Sequence, residues 1–102
     1  MTKPLPPIHP GEVLKEEFMQ PLGLSANGFA RSLHVPANRI SAIVKGARAV
    51  TANTANTALR LAKALGTTPD FWLNLQKRYD LDCARDAADL SGIEPIRKGV
   101  GG

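Results

Sequence analysis

Proline and glycine residues divide this chain into short segments, and that division limits how long any helix can be. Pro10 suits the first turn of a helix, because proline fixes φ and lacks an N–H group that this position leaves unbonded. Pro21 and Gly23 end that segment, and Gly46 and Gly66 end two later ones. Between these breaks, apolar residues recur three or four positions apart, which is the spacing of a helix face. The pattern predicts an all-α domain of short helices.

The breaks and the apolar spacing together predict five or six helices and no strand. The first predicted helix begins at His9-Pro10, and the next three span Ser25–Leu33, Ala37–Lys45 and about Thr54–Leu65. The fifth begins at Thr68-Pro69. Residues 81–90 either continue it as a helix or form a broken extension. Thr51 and Thr54 are alternative N-caps of the fourth helix, because a Thr-Ala-Asn unit is repeated there. Its predicted apolar stripe is Ala55, Ala58, Leu59, Ala62 and Leu65.

Both ends of the chain are predicted to be flexible. Three prolines between residues 4 and 7 favour an extended leader over residues 1–8. Residues 91–102 combine glycines, a proline and mixed charge, which is typical of a tail. The folded domain is therefore predicted over residues 9–90.

Length and composition exclude several classes of protein. A chain of 102 residues fits one domain. No apolar run approaches the roughly 20 residues that span a bilayer, and the N-terminus lacks the apolar core of a secretory signal. The single cysteine, Cys83, rules out an internal disulfide framework and a multi-cysteine zinc site, so a reducing cytoplasm is the expected location.

The net charge of +4 is unevenly distributed along the chain. Residues 18–69 contain six basic residues and no acid, whereas the segments on either side each carry a net charge of −1. A basic segment without acids suits a polyanionic partner, of which DNA is the obvious one. A solvated basic face that arose by chance is the alternative interpretation.

Residues 26–45 match the pattern of a helix-turn-helix unit. The positions that pack the two helices of such a unit together are all apolar, namely Phe29, Leu33, Val35, Ile40 and Ile43. Ala30 is small enough to let the helices approach closely. His34 occupies the turn position that requires a left-handed conformation, which histidine tolerates better than most side chains. An ordinary helical hairpin is the alternative, but the absence of acids on the outer face favours DNA binding.

The helix-turn-helix unit supplies the candidate DNA contacts. The start of the third helix would enter the major groove, where asparagine can bond to adenine, arginine to guanine, and alanine can touch a thymine methyl. The start of the second helix would hold a phosphate, and basic side chains would contact others. The full set is Ser25, Asn27, Arg31, Ala37, Asn38, Arg39, Ser41, Ala42, Lys45 and Arg48. Arg60 and Lys63 are predicted to lie on a solvated face of the fourth helix.

One such unit reads only a few base pairs, so specific binding normally requires two copies about 34 Å apart in a two-fold dimer. The candidate dimer interface lies in the C-terminal helices and comprises Trp72, Leu75, Tyr79, Ala84 and Ala88. The alternative is that Phe71, Trp72 and Leu75 complete the core of the monomer.

Several motifs occur in an order that resembles a known family. They are Ile8-His9-Pro10-Gly11-Glu12, Asn38-Arg39-Ile40-Ser41, Thr57-Ala58-Leu59-Arg60-Leu61-Ala62 and Phe71-Trp72-Leu73-Asn74-Leu75-Gln76. Over about residues 8–82 the chain is similar to HigA-type antitoxins, the virulence-associated protein I branch of the Xre/Cro-like helix-turn-helix regulators. The resemblance implies a lambda-repressor-like fold and a homodimer that binds a palindromic operator in its own promoter. It also implies a ribonuclease toxin of the RelE-like class as partner, and a cytoplasmic, nucleoid-associated bacterial protein.

The chain departs from the family pattern at the repeated Thr-Ala-Asn, where the family has one such unit. Three added residues rotate a helix register by about 300°, so the extra unit is predicted to loop out or to lengthen the start of the fourth helix.

Two other functions remain open from the sequence: a solitary regulator of the same family without a toxin, and a helical protein-interaction module without DNA binding. No catalytic arrangement can be built from His9, His34 and Cys83, because each lies in a different part of the chain. The sequence predicts no enzyme, no metal site and no cofactor.

Overall fold

In a computed structural model, the described residues 6–51 and 56–97 form helices and connecting turns but no strand. The elements are α1 (Pro10–Val13), a π-helical segment (Leu14–Met19), α2 (Ala26–Leu33), α3 (Ala37–Val44), α4 (Thr57–Leu65) and α5 (Pro69–Ala87). The all-α class with five helices is thereby confirmed. Residues 1–5 and 98–102 lie outside the described part of the chain, and the flexibility of the leader and the tail stays a prediction.

A single hydrophobic core joins all the helical elements except the short α1, whose Pro10 and Gly11 are nevertheless buried. Its members are Leu14, Met19, Phe29, Ala30, Leu33, Ile40, Ile43, Val50, Ala58, Leu61, Ala62 and Trp72. Trp72 is fully buried, and its indole N–H donates to Thr67 Oγ1 at 2.7 Å. A buried tryptophan whose polar atom is bonded contributes apolar burial without an unsatisfied donor.

The first predicted helix starts as expected but does not continue as an α-helix. His9 is its N-cap, and His9 Nδ1 accepts from the N–H of Gly11 at 2.9 Å. From Leu14 the backbone widens to i→i+5 bonding, and the N–H of Gln20 donates to the Lys15 carbonyl at 2.9 Å. This spacing buries Leu14 together with Met19, five residues on. Phe18, four residues after Leu14 as on one face of a regular α-helix, is only half-buried.

The fourth helix begins later than predicted. Asn56 is the N-cap of α4 with a left-handed φ of 53°, and neither Thr51 nor Thr54 takes that place. Thr54 and Ala55 themselves lie outside the described residues. The N–H of Ala58 donates to the Thr51 carbonyl at 3.0 Å, a bond between the two sides of the repeat. The helix therefore starts after the repeated Thr-Ala-Asn and is not lengthened by it.

The predicted apolar stripe of α4 was wrong at one position. Leu59 is 51% exposed, whereas Leu61 is fully buried. The buried residues Ala58, Leu61 and Ala62 follow i, i+3, i+4 spacing, and Leu59 is turned about 100° from Ala58 around the helix.

The fifth helix is capped as predicted, and the structure defines its C-terminal end, which the sequence left open. Thr68 Oγ1 accepts from the N–H of Phe71 at 3.1 Å, and Pro69 occupies the first turn. The helix continues without a break to Ala87. Residues 81–87 are thus part of one helix rather than a broken extension.

Candidate nucleic-acid interface

The turn between α2 and α3 is fixed by backbone geometry. His34 is left-handed, with φ 60° and ψ 42°, as predicted. The N–H of His34 donates to the Arg31 carbonyl at 3.2 Å, and the N–H of Val35 donates to the Ala30 carbonyl at 3.1 Å. These two bonds form a Schellman motif, which ends α2 and directs the chain into α3.

The predicted packing positions lie between the two helices. Phe29, Leu33, Ile40 and Ile43 are buried, and Val35 packs against the same core. Ala30 is 1% exposed, so it has no room for a larger side chain at the crossing. The helix-turn-helix register over residues 26–45 is confirmed.

The outer face of α3 contains only part of the predicted base-contact set. At about 100° per residue, Asn38, Ala42 and Lys45 lie opposite the buried Ile40 and Ile43. Asn38 and Lys45 are exposed, and Ser41 and Ala42 are half-buried.

Two predicted base contacts lie at the edges of that face. Ala37 packs against the hydrophobic core, on one flank of α3. Arg39 is half-buried on the opposite flank. Asn38 is therefore the side chain of this set that is best placed to reach a base edge.

The start of α2 presents polar groups beside α3. Ser25 Oγ accepts from the N–H of Gly28 at 3.1 Å and so caps the helix itself. Ala26 and Asn27 are the first two residues of α2, and their N–H groups point out of the helix end. An anion would be stabilised there. Asn27 and Arg31 are both exposed and, four residues apart, share the outer face of α2. Arg48 is exposed after Gly46, which ends α3 with a φ of 77°.

Arg60 is not the solvated side chain that the sequence predicted. It is half-buried, and its Nη1 donates to the Leu33 carbonyl at 2.8 Å. The bond joins α4 to the last residue of α2, 27 positions earlier in the chain. A local pattern carries no signal for such a contact, because only the tertiary fold brings the two helices together. Lys63 is exposed, as expected.

The five predicted dimer residues do not form one surface. Trp72 belongs to the monomer core and exposes no area, so its assignment to an interface was wrong. The ring of Tyr79 packs edge-on against His9, with centroids 4.8 Å apart. Leu75 lines a groove of about 730 Å³ between the N-terminal segment and α5. Ala84 and Ala88 are exposed, and Ala84 lies about 180° around α5 from Leu75, nine residues earlier.

The titratable groups near α5 form a small structural cluster. Burial lowers the pKa of His9 from its ordinary value, and the carboxylate of Asp80 partly offsets this. A side-chain hydrogen bond with Cys83 is the main cause that raises the pKa of Tyr79. Among residues 6–51 and 56–97, no group of three or more histidine, cysteine or acidic side chains is arranged to hold a metal ion. In the same residues, no helix is long and apolar enough to cross a membrane.

Comparison with known proteins places this fold among helix-turn-helix proteins. The profile of the helix-turn-helix family HTH_3 matches residues 15–72. Virulence-associated protein I of Dichelobacter nodosus is 45% identical over 90% of this chain and 83% of its own length. Antitoxin HigA-1 of Vibrio cholerae is 41% identical over 74% of this chain and 68% of its own length.

A solved structure with DNA shares the same backbone arrangement. The Pseudomonas aeruginosa antitoxin HigA, determined with the higBA promoter, aligns with a TM-score of 0.82 at 37% identity. The alignment covers 89% of this chain and 99% of that one. The likeness therefore includes α5 as well as the helix-turn-helix.

Proposed function

Because this chain belongs to the HTH_3 helix-turn-helix family, with HigA antitoxins among its relatives, we propose that it is a sequence-specific DNA-binding autorepressor. We further propose that it acts as the antitoxin of a HigBA-type toxin–antitoxin system. The observation that carries the DNA-binding proposal is the exposed face formed by α2 and α3, which is polar, basic and without acids. Such a face can approach a phosphate backbone without like-charge repulsion.

The proposed mechanism assigns base reading to α3 and positioning to its surroundings. Asn38 reads a base edge in the major groove, with Ser41 and Ala42 beside it on the same face. Ser25, Asn27 and the start of α2 sit against a phosphate, and Arg31, Lys45 and Arg48 neutralise others. Ala37 and Arg39 border the contact from the flanks of α3.

A dimer completes the proposed operator complex. Leu81, which is 42% exposed, and the exposed Ala84 lie three residues apart on α5. The exposed Ala88 is the C-cap that follows the helix, and its N–H still donates to the Ala84 carbonyl, so the i, i+3, i+7 spacing puts the three residues on one face. An isologous contact across this face would relate two α3 helices by a two-fold axis, as a palindromic operator requires. We propose these three residues as the dimer surface in place of the five residues that the sequence predicted.

The antitoxin proposal is supported by the names of the relatives and by the charge distribution. Every acid of the chain lies outside residues 18–69, which contain the whole proposed DNA face. A RelE-like ribonuclease is expected to present basic groups to RNA, and an acid-bearing surface suits such a partner. A cytoplasmic, nucleoid-associated location goes with this proposal.

Substitution of Asn38 tests DNA binding directly. Asn38→Ala is expected to weaken binding to a duplex from the chain's own promoter about 10- to 100-fold and to relax discrimination at one base pair, because a bidentate base contact is worth about 1–3 kcal/mol. Asn74→Ala, an equally exposed asparagine on α5, is the matched control. Fluorescence anisotropy at fixed salt gives both affinities. Equal affinities of the two variants would contradict the assignment of Asn38.

Co-expression with the product of the adjacent small gene tests the antitoxin role. Copurification of the two proteins together with rescue of growth is the expected result. Failure of both would leave a solitary regulator, the alternative that the sequence left open. If the wild-type chain binds no promoter DNA, the interpretation as a protein-interaction module replaces the autorepressor proposal.

A further inference from the structure

We propose that Arg60 is a positioning residue for DNA binding, which holds the helix-turn-helix in a fixed orientation on α4 and α5. The inference rests on the proposed DNA-binding function. It assigns a role to a basic residue that lies in the acid-free stretch but outside the helix-turn-helix.

One carbonyl at the C-terminal end of α2 is hydrogen-bonded from outside the helix. The last carbonyls of a helix have no partner within the helix and carry its partial negative charge. The Schellman bonds use the carbonyls of Ala30 and Arg31. The carbonyl of Leu33 accepts instead from Arg60 Nη1 at 2.8 Å. A bond from a charged donor to a helix C-terminus is stronger than a neutral one.

The hydrogen bond between Arg60 and Leu33 lies at the junction of α2 and α3. Leu33 directly precedes His34, the left-handed residue that sends the chain into α3. A shift of the Leu33 carbonyl would therefore turn α3 as well. Arg60 comes from α4, which packs against α5, and α5 carries the proposed dimer face. One path from α3 to the proposed dimer face thus runs through this hydrogen bond, and a second runs through α1, which contacts both α3 and α5.

Arg60 differs from the proposed phosphate contacts in its exposure to solvent. Arg31, Lys45 and Arg48 are exposed, whereas Arg60 is half-buried with its guanidinium directed at a protein carbonyl. A residue that contacts phosphate contributes to the salt dependence of binding. A residue that only orients α3 contributes to affinity and to the preferred operator spacing, and leaves the salt dependence unchanged.

The test compares Arg60→Gln with Lys63→Gln in the full chain. Both variants remove one charge from α4, but Lys63 is exposed. The probe is a duplex from the chain's own promoter. A second duplex has one base pair inserted between the half-sites, which rotates one half-site relative to the other by about 35°.

Arg60→Gln is expected to bind the native duplex about tenfold more weakly, because one charged hydrogen bond is lost. The ratio of its affinities for the two duplexes should also be smaller than that of the wild type. The slope of its affinity against salt concentration should equal that of the wild type. Lys63→Gln is expected to keep the spacing discrimination of the wild type.

Each outcome decides a separate question. If the wild type binds neither duplex, the proposed function fails. If the wild type binds and Arg60→Gln equals it in affinity and in spacing discrimination, the positioning role fails while the DNA-binding function stands. A salt slope reduced by about one per protomer would make Arg60 a phosphate contact and would also overturn the proposal. Circular dichroism checks the fold of each variant. Should Arg60→Gln not fold, Arg60→Met is measured in its place, because methionine keeps an apolar stem and has no donor for the Leu33 carbonyl. Spacing discrimination equal to that of the wild type then overturns the proposal.

Discussion

At Gly11, helix α1 comes so close to the end of α3 that no side chain fits. A Cβ placed there would overlap the carbonyl oxygen of Ile43 and would also crowd Val44 Cα. Both neighbours are backbone atoms of α3, so neither can rotate away. The requirement for glycine is therefore one of space.

Gly11→Ala is expected to lower the free energy of unfolding by about 3 kcal/mol, because overpacking against backbone forces two helices apart. Urea denaturation followed by circular dichroism measures the effect. Gly92→Ala is the matched control, since a Cβ at Gly92 meets nothing within 4 Å. Unfolding midpoints that agree between the two variants would contradict the close approach of α1 and α3.

Residues whose structural role depends on near neighbours in the chain were predictable from the sequence. The left-handed turn at His34 and the N-cap at Ser25 both depend on a few neighbouring residues, and both are present. The role of Arg60 depends on a carbonyl 27 residues away, and the burial of Trp72 depends on the whole core. Such roles could not be derived from spacing along one helix.

At the scale of elements, α1 is a single turn that depends on its cap. His9 Nδ1 accepts from the N–H of Gly11, and only the unprotonated nitrogen can accept. Burial lowers the pKa of His9 below its ordinary value of 6.5, with the carboxylate of Asp80 acting in the opposite direction. The folded chain therefore binds this proton less readily than the unfolded chain does.

That difference predicts a loss of stability in mild acid. The contribution of His9 is complete above its unfolded pKa of 6.5 and is lost as the pH falls through the lower pKa of the folded state. His9→Asn keeps a good N-cap without titrating in this range, so the variant should lose less stability than the wild type between pH 7.5 and pH 5.5. Urea midpoints at the two pH values give the comparison. Parallel losses in both proteins would show that His9 does not control this dependence.

The boundaries of elements were predictable where one signal dominated. The helix-turn-helix was defined by five packing positions in register, and Thr68-Pro69 defined the start of α5. The repeated Thr-Ala-Asn offered equivalent caps, so the local sequence could not select Asn56 as the N-cap of α4. The π-helical segment follows from burial of both Leu14 and Met19, a tertiary requirement that competes with the α-helical spacing.

At the scale of the whole molecule, the acid-free basic stretch and the proposed dimer strip lie on different elements. The acid-free stretch contains α2, α3 and α4, and an apolar strip of Leu81, Ala84 and Ala88 lies at the C-terminal end of α5 and on its C-cap. A two-fold dimer through that strip would leave the basic faces of both copies available to one duplex. The six basic residues of the acid-free stretch would then stay outside the dimer contact, and the acids lie in the segments on either side of that stretch.

Ala84→Glu is the substitution that tests this dimer. In an isologous contact near the two-fold axis, each copy would place a glutamate close to its symmetry mate, so desolvation and like-charge repulsion would both oppose association. We expect the dimer dissociation constant, measured by sedimentation equilibrium, to rise at least about tenfold, with binding to the full operator weakened in parallel. Ala64→Glu, an exposed alanine on α4, is the control for the sedimentation measurement. A dissociation constant unchanged by Ala84→Glu would place the dimer contact on another surface, and the groove beside Leu75 would be the next to substitute.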